Sequence, residues 1–534
     1  MPGIRQGQTV VLGPWMGGVR YDKPTENTLP DELASTVNCR IGTAGQVEKR
    51  KGSASYNGES ALETSPHTVT GCGQWVNASN VKYTFMFVKD EYYEHTGASD
   101  ADWVNRRAGD NLVTGQPVTI TADDVDGSNG YVWQWVNANG VLYALNGEDP
   151  PIKAAGGAQI ALWSALPSGV TTAAHIAHWD NRLWIANSSG SSAQKDRVYR
   201  SGAGNYESWE GNYDLGGPIT ALVAQDDSLA VHTESGIWVL SPTGTANTPY
   251  SIKPVTTQGG IGGRNTIALP DGTQMMVRRD GIYSWDGGEA LEKKSQALDA
   301  GYWSKLRVSR QDNQHDGLED GFAVYYPNEN EVWFFFTDSS EPTTQVKFNS
   351  IIIYNILDDF WFGPYEDREI NCAALIDNKP HGGTYTGKLL DLAVGDKDET
   401  DAIVASFQTS GHTEDDVVRK RWVYARCYFD EQGGDWQVQV QQASAGLVGG
   451  APSVLSMGIT EGVLGAFTLD AAPLGAGFPN KPKVVYGDVR LQGYDAHTSL
   501  IVKNTDADEP FVFRNVHLAY KPLGQKRKRR VGVE

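Results

Sequence analysis

The chain has 534 residues, 40% of them apolar, which is enough to fill the cores of about three domains of ordinary size and excludes a disordered protein. Lys plus Arg number 45 against 65 Asp plus Glu, and the resulting net charge of -20 argues against a surface that grips nucleic acid along its whole length. No apolar run approaches the roughly 18 to 20 residues that cross a bilayer, and the opening MPGIRQGQTVVLG lacks the apolar stretch of a secretion signal, so the expectation is a protein without a membrane span, made in the cytosol.

Taken in chain order, residues 1–60 read as an N-terminal β segment ahead of any repeat. Between about 61 and 395 come short runs rich in aromatic and β-branched residues: VKYTFMFV (81–88), SLAVHT (228–233), GIWVLS (236–241), QMMVRR (274–279), EVWFFFT (331–337) and SIIIYNIL (350–357). Each is closed by Gly, Asn, Asp or Pro, and each is predicted as a strand. Asn139-Gly140, Asp271-Gly272, Asp280-Gly281 and Asp286-Gly287 read as pairs that accept the positive φ of type I′ hairpins.

Within this region the chain repeats itself. Trp75-Val76-Asn77-Ala78, followed by Val81 and Tyr83, recurs at identical spacing as Trp135-Val136-Asn137-Ala138, followed by Val141 and Tyr143. Trp179-Asp180-Asn181-Arg182-Leu183-Trp184 is a third copy, one residue shorter, and looser relatives follow at 224–240 and 269–287. A strand-turn-strand unit cannot bury its apolar face alone. Repetition at this scale predicts small sheets stacked around an axis, as in a β-propeller, with an irregular sandwich array as the alternative.

The acidic run GDKDETDA (395–402) marks a boundary. Beyond it, over 396–523, KRWVYARCYFD (420–430), DWQVQVQQASAG (435–446), KVVYGDVRLQGY (483–494), SLIVKNT (499–505) and PFVFRNVHLAYKPLG (510–524) alternate strictly, as an antiparallel sandwich does. The last stretch, 524–534, is a basic tail in which Lys526, Arg527, Lys528, Arg529 and Arg530 stand together as a candidate contact. The expected fold class is all-β: a β-propeller-like repeat domain with an additional antiparallel β-sandwich-like domain.

The sequence is quiet about chemistry. It holds no H-E-x-x-H, no G-x-S-x-G and no EF-hand loop. Gly382-Gly383-Thr384-Tyr385-Thr386-Gly387-Lys388-Leu389 has phosphate-loop spacing up to its lysine, but Leu389 stands where a Mg²⁺-binding hydroxyl belongs, so a hairpin is predicted. Asp312, Asp316, Glu319 and Asp320, like DDVDG (123–127), offer the oxygens that Ca²⁺ takes, but solvated loops are expected there. His175 and His178 lie three apart in a strand-like repeat, a spacing that points to no metal-ligand set, and read as core or loop histidines. Cys39, Cys72, Cys372 and Cys427 form no C-x-x-C pair and read as reduced core residues. No catalytic, cofactor-binding or metal residue is assigned, and a non-enzyme without cofactors is expected.

Residues 13–52 carry a recognisable pattern: Gly17-Gly18, then Leu29-Pro30-Asp31-Glu32, then Asn38 with Gly45, then Arg50-Lys51-Gly52. This opening resembles that of podovirus-type tail nozzle proteins, the tail tubular protein B-like group of bacteriophages. HWDNRLWIAN, RVYRSGAGNYESW (197–209), SGIWVL and QGGIGGRNTIALPDGTQMMVRRDGIYSWDGG (258–288) resemble that family's successive propeller blades. The resemblance implies a structural virion protein in the viral tail. It further implies subunits that assemble as a homo-oligomeric ring, commonly a homohexamer, below the head-to-tail adaptor and near tail fibres, and that provide the channel for genome ejection. Double-stranded DNA then passes without specific binding, and carboxylates facing such a lumen would repel phosphate and leave the DNA free to slide. Two other readings fit a propeller: a receptor- or glycan-binding protein of tail-fibre or lectin type, and a propeller glycosidase with two carboxylates in a central pocket.

Overall fold

The computed structural model describes residues 8–56, 67–88, 91–95, 103–106, 132–299, 301–306, 318, 321–338, 347–411, 420–430, 437–444, 447–456, 484–491, 494–495, 497–504 and 510–522, apart from 159, 234, 246, 247 and 367. It is all-β. Its helical pieces among the described residues are short 3-10 turns, including those at Thr25–Asn27, Ser295–Leu298 and Trp303–Lys305. The chain forms two compact units, one of residues 53–356 and 366–394, the other of 1–52, 357–365 and 395–534.

The larger unit is β-propeller-like. Its seven innermost strands are Val69–Val76, Gln134–Ala138, Thr172–Trp179, Ile219–Ala224, Thr266–Ala268, Phe322–Tyr326 and Ile370–Ile376. Each begins an antiparallel meander, and each inner strand touches the next around the ring, the last touching the first. The seventh blade takes its outer strand from the start of the unit: Ala54–Ser55 pairs with Leu390 and Asp391, so the ring is closed by strands distant in sequence.

The core of this unit lies between blades. Trp75, Phe85, Phe87 and Tyr92 of the first blade pack against Trp133, Leu142 and Ile152 of the second. Leu145 and Trp163 pack against Ile176, Leu183 and Tyr199, and the pattern continues with Trp184 and Ala186 against Leu229 and Leu240. Each aromatic or branched side chain fully buried here contributes about 1.5–3 kcal/mol relative to exposure, so no blade is stable without its neighbours.

The turns correct part of the sequence reading. Asn139-Gly140 takes positive φ at both residues and closes a two-residue hairpin in which Ala138 faces Val141. Asp180-Asn181 and Asp377-Asn378 do the same without glycine. Asp280-Gly281 is not a turn pair: Arg278 faces Gly281, so the turn is Arg279-Asp280 and Gly281 already belongs to the strand. At Asp271-Gly272 and Asp286-Gly287 only the glycine has positive φ.

The repeated Trp-x-Asn motif also differs between copies. Trp75 faces Tyr83 directly and stacks on it, ring centroids 5.2 Å apart, whereas Trp135 faces Ala144 and Tyr143 faces Val136. The first hairpin turns through residues 77–81 and the second through two residues only. The register slips by one, which places Trp135 and Tyr143 on opposite faces.

The smaller unit contains two main sheets. One runs Cys39–Ile41, Val47–Lys49, Val512–Pro522, Lys420–Asp430 and Val484–Arg490, with Gln8–Leu12 also pairing to Val512–Pro522 and Tyr494–Asp495 to Lys420–Asp430. The other runs Leu33–Val37, Ala405–Thr409, Ser499–Asn504, Gln437–Ser444 and Leu447–Ser456. Aromatic rings from both sheets meet between them: Trp15 lies 5.8 Å from Phe407 and 5.4 Å from Phe513, and Phe429 packs edge-on to Phe513. This is the sandwich-like part. The expected division at residue 60 is corrected: residues 8–52 are woven into this unit by pairing Gln8–Leu12 with Val516–Tyr520 and Leu33–Val37 with Ala405–Thr409.

Candidate functional site

Where the seven inner strands converge they line an open cavity of about 240 Å³, to which every blade contributes. Gly71, Cys72, Gln134, Trp135, Arg264 and Cys372 are among its lining residues. Small residues on the first strand make the convergence possible: a Cβ on Gly73 would stand 2.3 Å from the Trp135 ring. Trp135 Nε1 donates to the Cys72 carbonyl at 3.1 Å, joining the first two blades at the axis.

The two histidines read together in the sequence are separated by the strand. His175 is buried between blades, with Nδ1 3.3 Å from the Gln134 amide nitrogen, and burial pushes its pKa down to about 4. Three residues on along a strand the side chain faces the other way. His178 accordingly pairs with the Tyr206 hydroxyl at 3.0 Å. His232 accepts the Gly260 N–H at Nδ1 and donates from Nε2 to Gln274 Oε1 at 2.8 Å, with burial again holding the pKa down at about 4. His175 and His232 are neutral bridges between neighbouring blades.

The phosphate-loop lookalike is a hairpin, as its sequence suggests: Lys379–Thr384 pairs with Leu389–Asp391, and Thr384 Oγ1 accepts the amides of Thr386 and Lys388 at 3.2 and 3.1 Å. Asp312, Asp316, Glu319, Asp320, the DDVDG loop and the basic residues Lys526, Arg527, Lys528, Arg529 and Arg530 lie outside the described residues. Among the described residues no three His, Cys, Asp or Glu side chains gather into a metal-binding group.

The N-terminal pattern, by contrast, converges within the smaller unit. Gly17 N–H donates to Asp31 O at 2.9 Å, and Gly18, at φ 70°, sits where a Cβ would meet Phe360 at 2.7 Å. Glu32 accepts the Leu29 amide at 2.8 Å and the Lys23 ammonium at 3.1 Å. Gly45, at φ 72°, receives the Trp15 amide on its carbonyl. Asn38 Oδ1 accepts from Arg50 Nε at 2.8 Å, while its amide donates to Val404 O at 2.9 Å.

Arg50-Lys51-Gly52 docks on the acidic run 395–402. The buried Arg50 guanidinium forms a fork on the Asp398 carboxylate, with Nη1 2.9 Å from Oδ1 and Nη2 on Oδ2. Lys51 lies 3.7 Å from Asp396. Gly52 N–H donates to Gly395 O at 2.9 Å, and a Cβ on Gly52 would lie 1.9 Å from Lys397 O. The run read as a plain boundary is the partner of a signature some 345 residues earlier, and charge complementarity was the one signal that could have joined them.

A second surface escaped the sequence reading. On the strands Lys420–Asp430 and Val484–Arg490, Tyr424 is 39% and Tyr486 61% exposed. Arg426 lies 4.5 Å above the Tyr486 ring and is bonded in a fork to Asp488 at 2.7 and 2.8 Å.

No family model and no curated protein matches this chain. Solved structures similar to it include the extracellular domain of a one-component system from B. thetaiotaomicron, at 9% identity over 89% of this chain and 62% of that one, TM-score 0.42. Virginiamycin B lyase from Staphylococcus aureus is similar at 8% identity over 64% and 98% of the two chains, TM-score 0.37. A gluconolactonase from Xanthomonas campestris is similar at 10% identity over 57% and 95%, TM-score 0.32.

Proposed function

We propose that this chain is a structural, ring-forming subunit of the tail-nozzle type, built to line a passage for double-stranded DNA below an adaptor ring of a short-tailed bacteriophage. One observation carries the reading: the residues that resemble the nozzle opening are engaged in framework contacts of the smaller unit. Gly18 and Gly45 hold positive φ, Asn38 and Arg50 bridge distant segments, and Gly52 has no room for a side chain. A signature of that kind belongs to architecture. The net charge of -20 suits a duct, because carboxylates repel the phosphates that Lys or Arg would hold.

Assembly tests this directly. Light scattering and negative-stain microscopy are expected to find a hexameric ring or tube, alone or after addition of adaptor complexes from the same source. A monomer that ignores such complexes would sink the proposal.

A second reading is favoured by Tyr424 and Tyr486. Exposed rings beside the Arg426–Asp488 pair offer the stacking face and paired polar groups that a sugar ring uses. A glycan array with wild type and Tyr486→Ala separates the readings: saturable binding lost in the variant would favour a glycan-binding protein.

A further inference from the structure

We propose that Cys72 and Cys372 are an oxidisable dithiol whose disulfide seals the propeller-like ring between its first and last blades. Their sulfurs lie 3.7 Å apart although 300 residues separate them in sequence. The two cysteines sit on Val69–Val76 and Ile370–Ile376, inner strands that meet only because the ring closes. Elsewhere that closure rests on non-covalent contacts, including the Ala54–Ser55 strand at the outer edge.

The pair is buried yet lines the axial cavity of about 240 Å³, several times the roughly 30 Å³ share of a water molecule in the liquid, so a peroxide-sized oxidant fits beside it. Space around the sulfurs is kept by glycine: a Cβ on Gly383 would stand 2.8 Å from Cys372 Sγ. A disulfide requires the sulfurs to close from 3.7 Å to about 2.05 Å.

The oxidant is hydrogen peroxide. One thiol loses its proton and its thiolate attacks a peroxide oxygen; the O–O bond breaks, a sulfenic acid forms, and the departing hydroxide takes up the proton as water. The second sulfur then attacks the sulfenic sulfur, the S–S bond forms, the S–O bond breaks, and its proton leaves with the hydroxyl group as a second water. Two electrons pass from the sulfurs to the peroxide. The hydrogen bond to Cys372, together with burial, raises the Cys72 thiol well above its usual range, so the reaction quickens as pH rises. The disulfide encloses a long loop and removes freedom from the unfolded chain.

Intact protein treated with hydrogen peroxide under native conditions and digested without reduction is expected to yield a peptide cross-linking Cys72 to Cys372. The melting temperature of the oxidised protein should rise by several degrees and return on addition of dithiothreitol. Cys72→Ser should lose both changes, and Cys427→Ser should keep them. Oxidised wild type that remains folded but contains no such peptide, or carries the cross-link with no reversible rise in melting temperature, overturns the proposal; because the first readout uses wild type, poor folding of a variant does not blunt it.

Discussion

Gly52 is among the least replaceable residues of the smaller unit, because the Lys397 carbonyl occupies the position of its missing Cβ. Gly52→Ala is expected to cost about 3 kcal/mol through forced backbone displacement. Asp398→Ala leaves the buried Arg50 guanidinium without its carboxylate and should cost about 3–5 kcal/mol. Urea denaturation of each variant beside wild type, followed by tryptophan fluorescence, checks both figures; midpoints unchanged from wild type would contradict the contacts. At this scale the sequence was half legible. Arg50-Lys51-Gly52 stood out as a pattern, but its partners Asp396 and Asp398 looked like any solvated acidic run, and Cys72 and Cys372 had no spacing rule to join them.

Hairpins were the most legible elements, since Asn139-Gly140 announces its own turn. Asn139 holds φ 50°, and a β-branched side chain there is strained: Asn139→Val is expected to lose about 1–2 kcal/mol while Asn139→Gly stays near wild type, again by urea denaturation. Register was not legible. Equal spacing in the Trp75 and Trp135 copies hid unequal turns, and one residue more or less in a turn sends an aromatic ring to the other face.

The inter-blade histidines give these elements a pH dependence. Both have folded pKa values near 4, below the unfolded value of 6.5, so the folded state resists a proton that the unfolded chain accepts. Their contribution is complete above about pH 6.5, shrinks as pH falls, and is gone below about pH 4. Each histidine should account for about 2 kcal/mol of lost stability between about pH 7 and pH 5. His232→Gln should flatten that slope in urea titrations; an unchanged slope would show that the imidazole is protonated in the fold.

At the scale of the whole molecule, the fold class was readable because strand-turn-strand units recur and cannot stand alone. The division of the chain was less so: a strand of one unit can be supplied from either end of the sequence, and no local pattern records that. Val512–Pro522 is the clearest case, pairing with Gln8–Leu12, with Val47–Lys49 and with Lys420–Asp430. Truncation after residue 509 is therefore expected to abolish the smaller unit and spare the larger one. Limited proteolysis would then leave a resistant fragment beginning near residue 53 and ending near 394, whereas equal loss of both units would contradict it.

The same strand sets a timetable for the protein's birth. Gln8–Leu12 leaves the ribosome about 500 residues ahead of its partner Val516–Tyr520. At about 5–20 residues per second the first strand waits on the order of half a minute to two minutes for its neighbour. The blades emerge meanwhile, each beside the one just made. The ring can form during translation, but the part built from segments on either side of it can finish only once Val516–Tyr520 has emerged, so a chain stalled before that point carries an orphan strand, exposed to mispairing with other nascent chains.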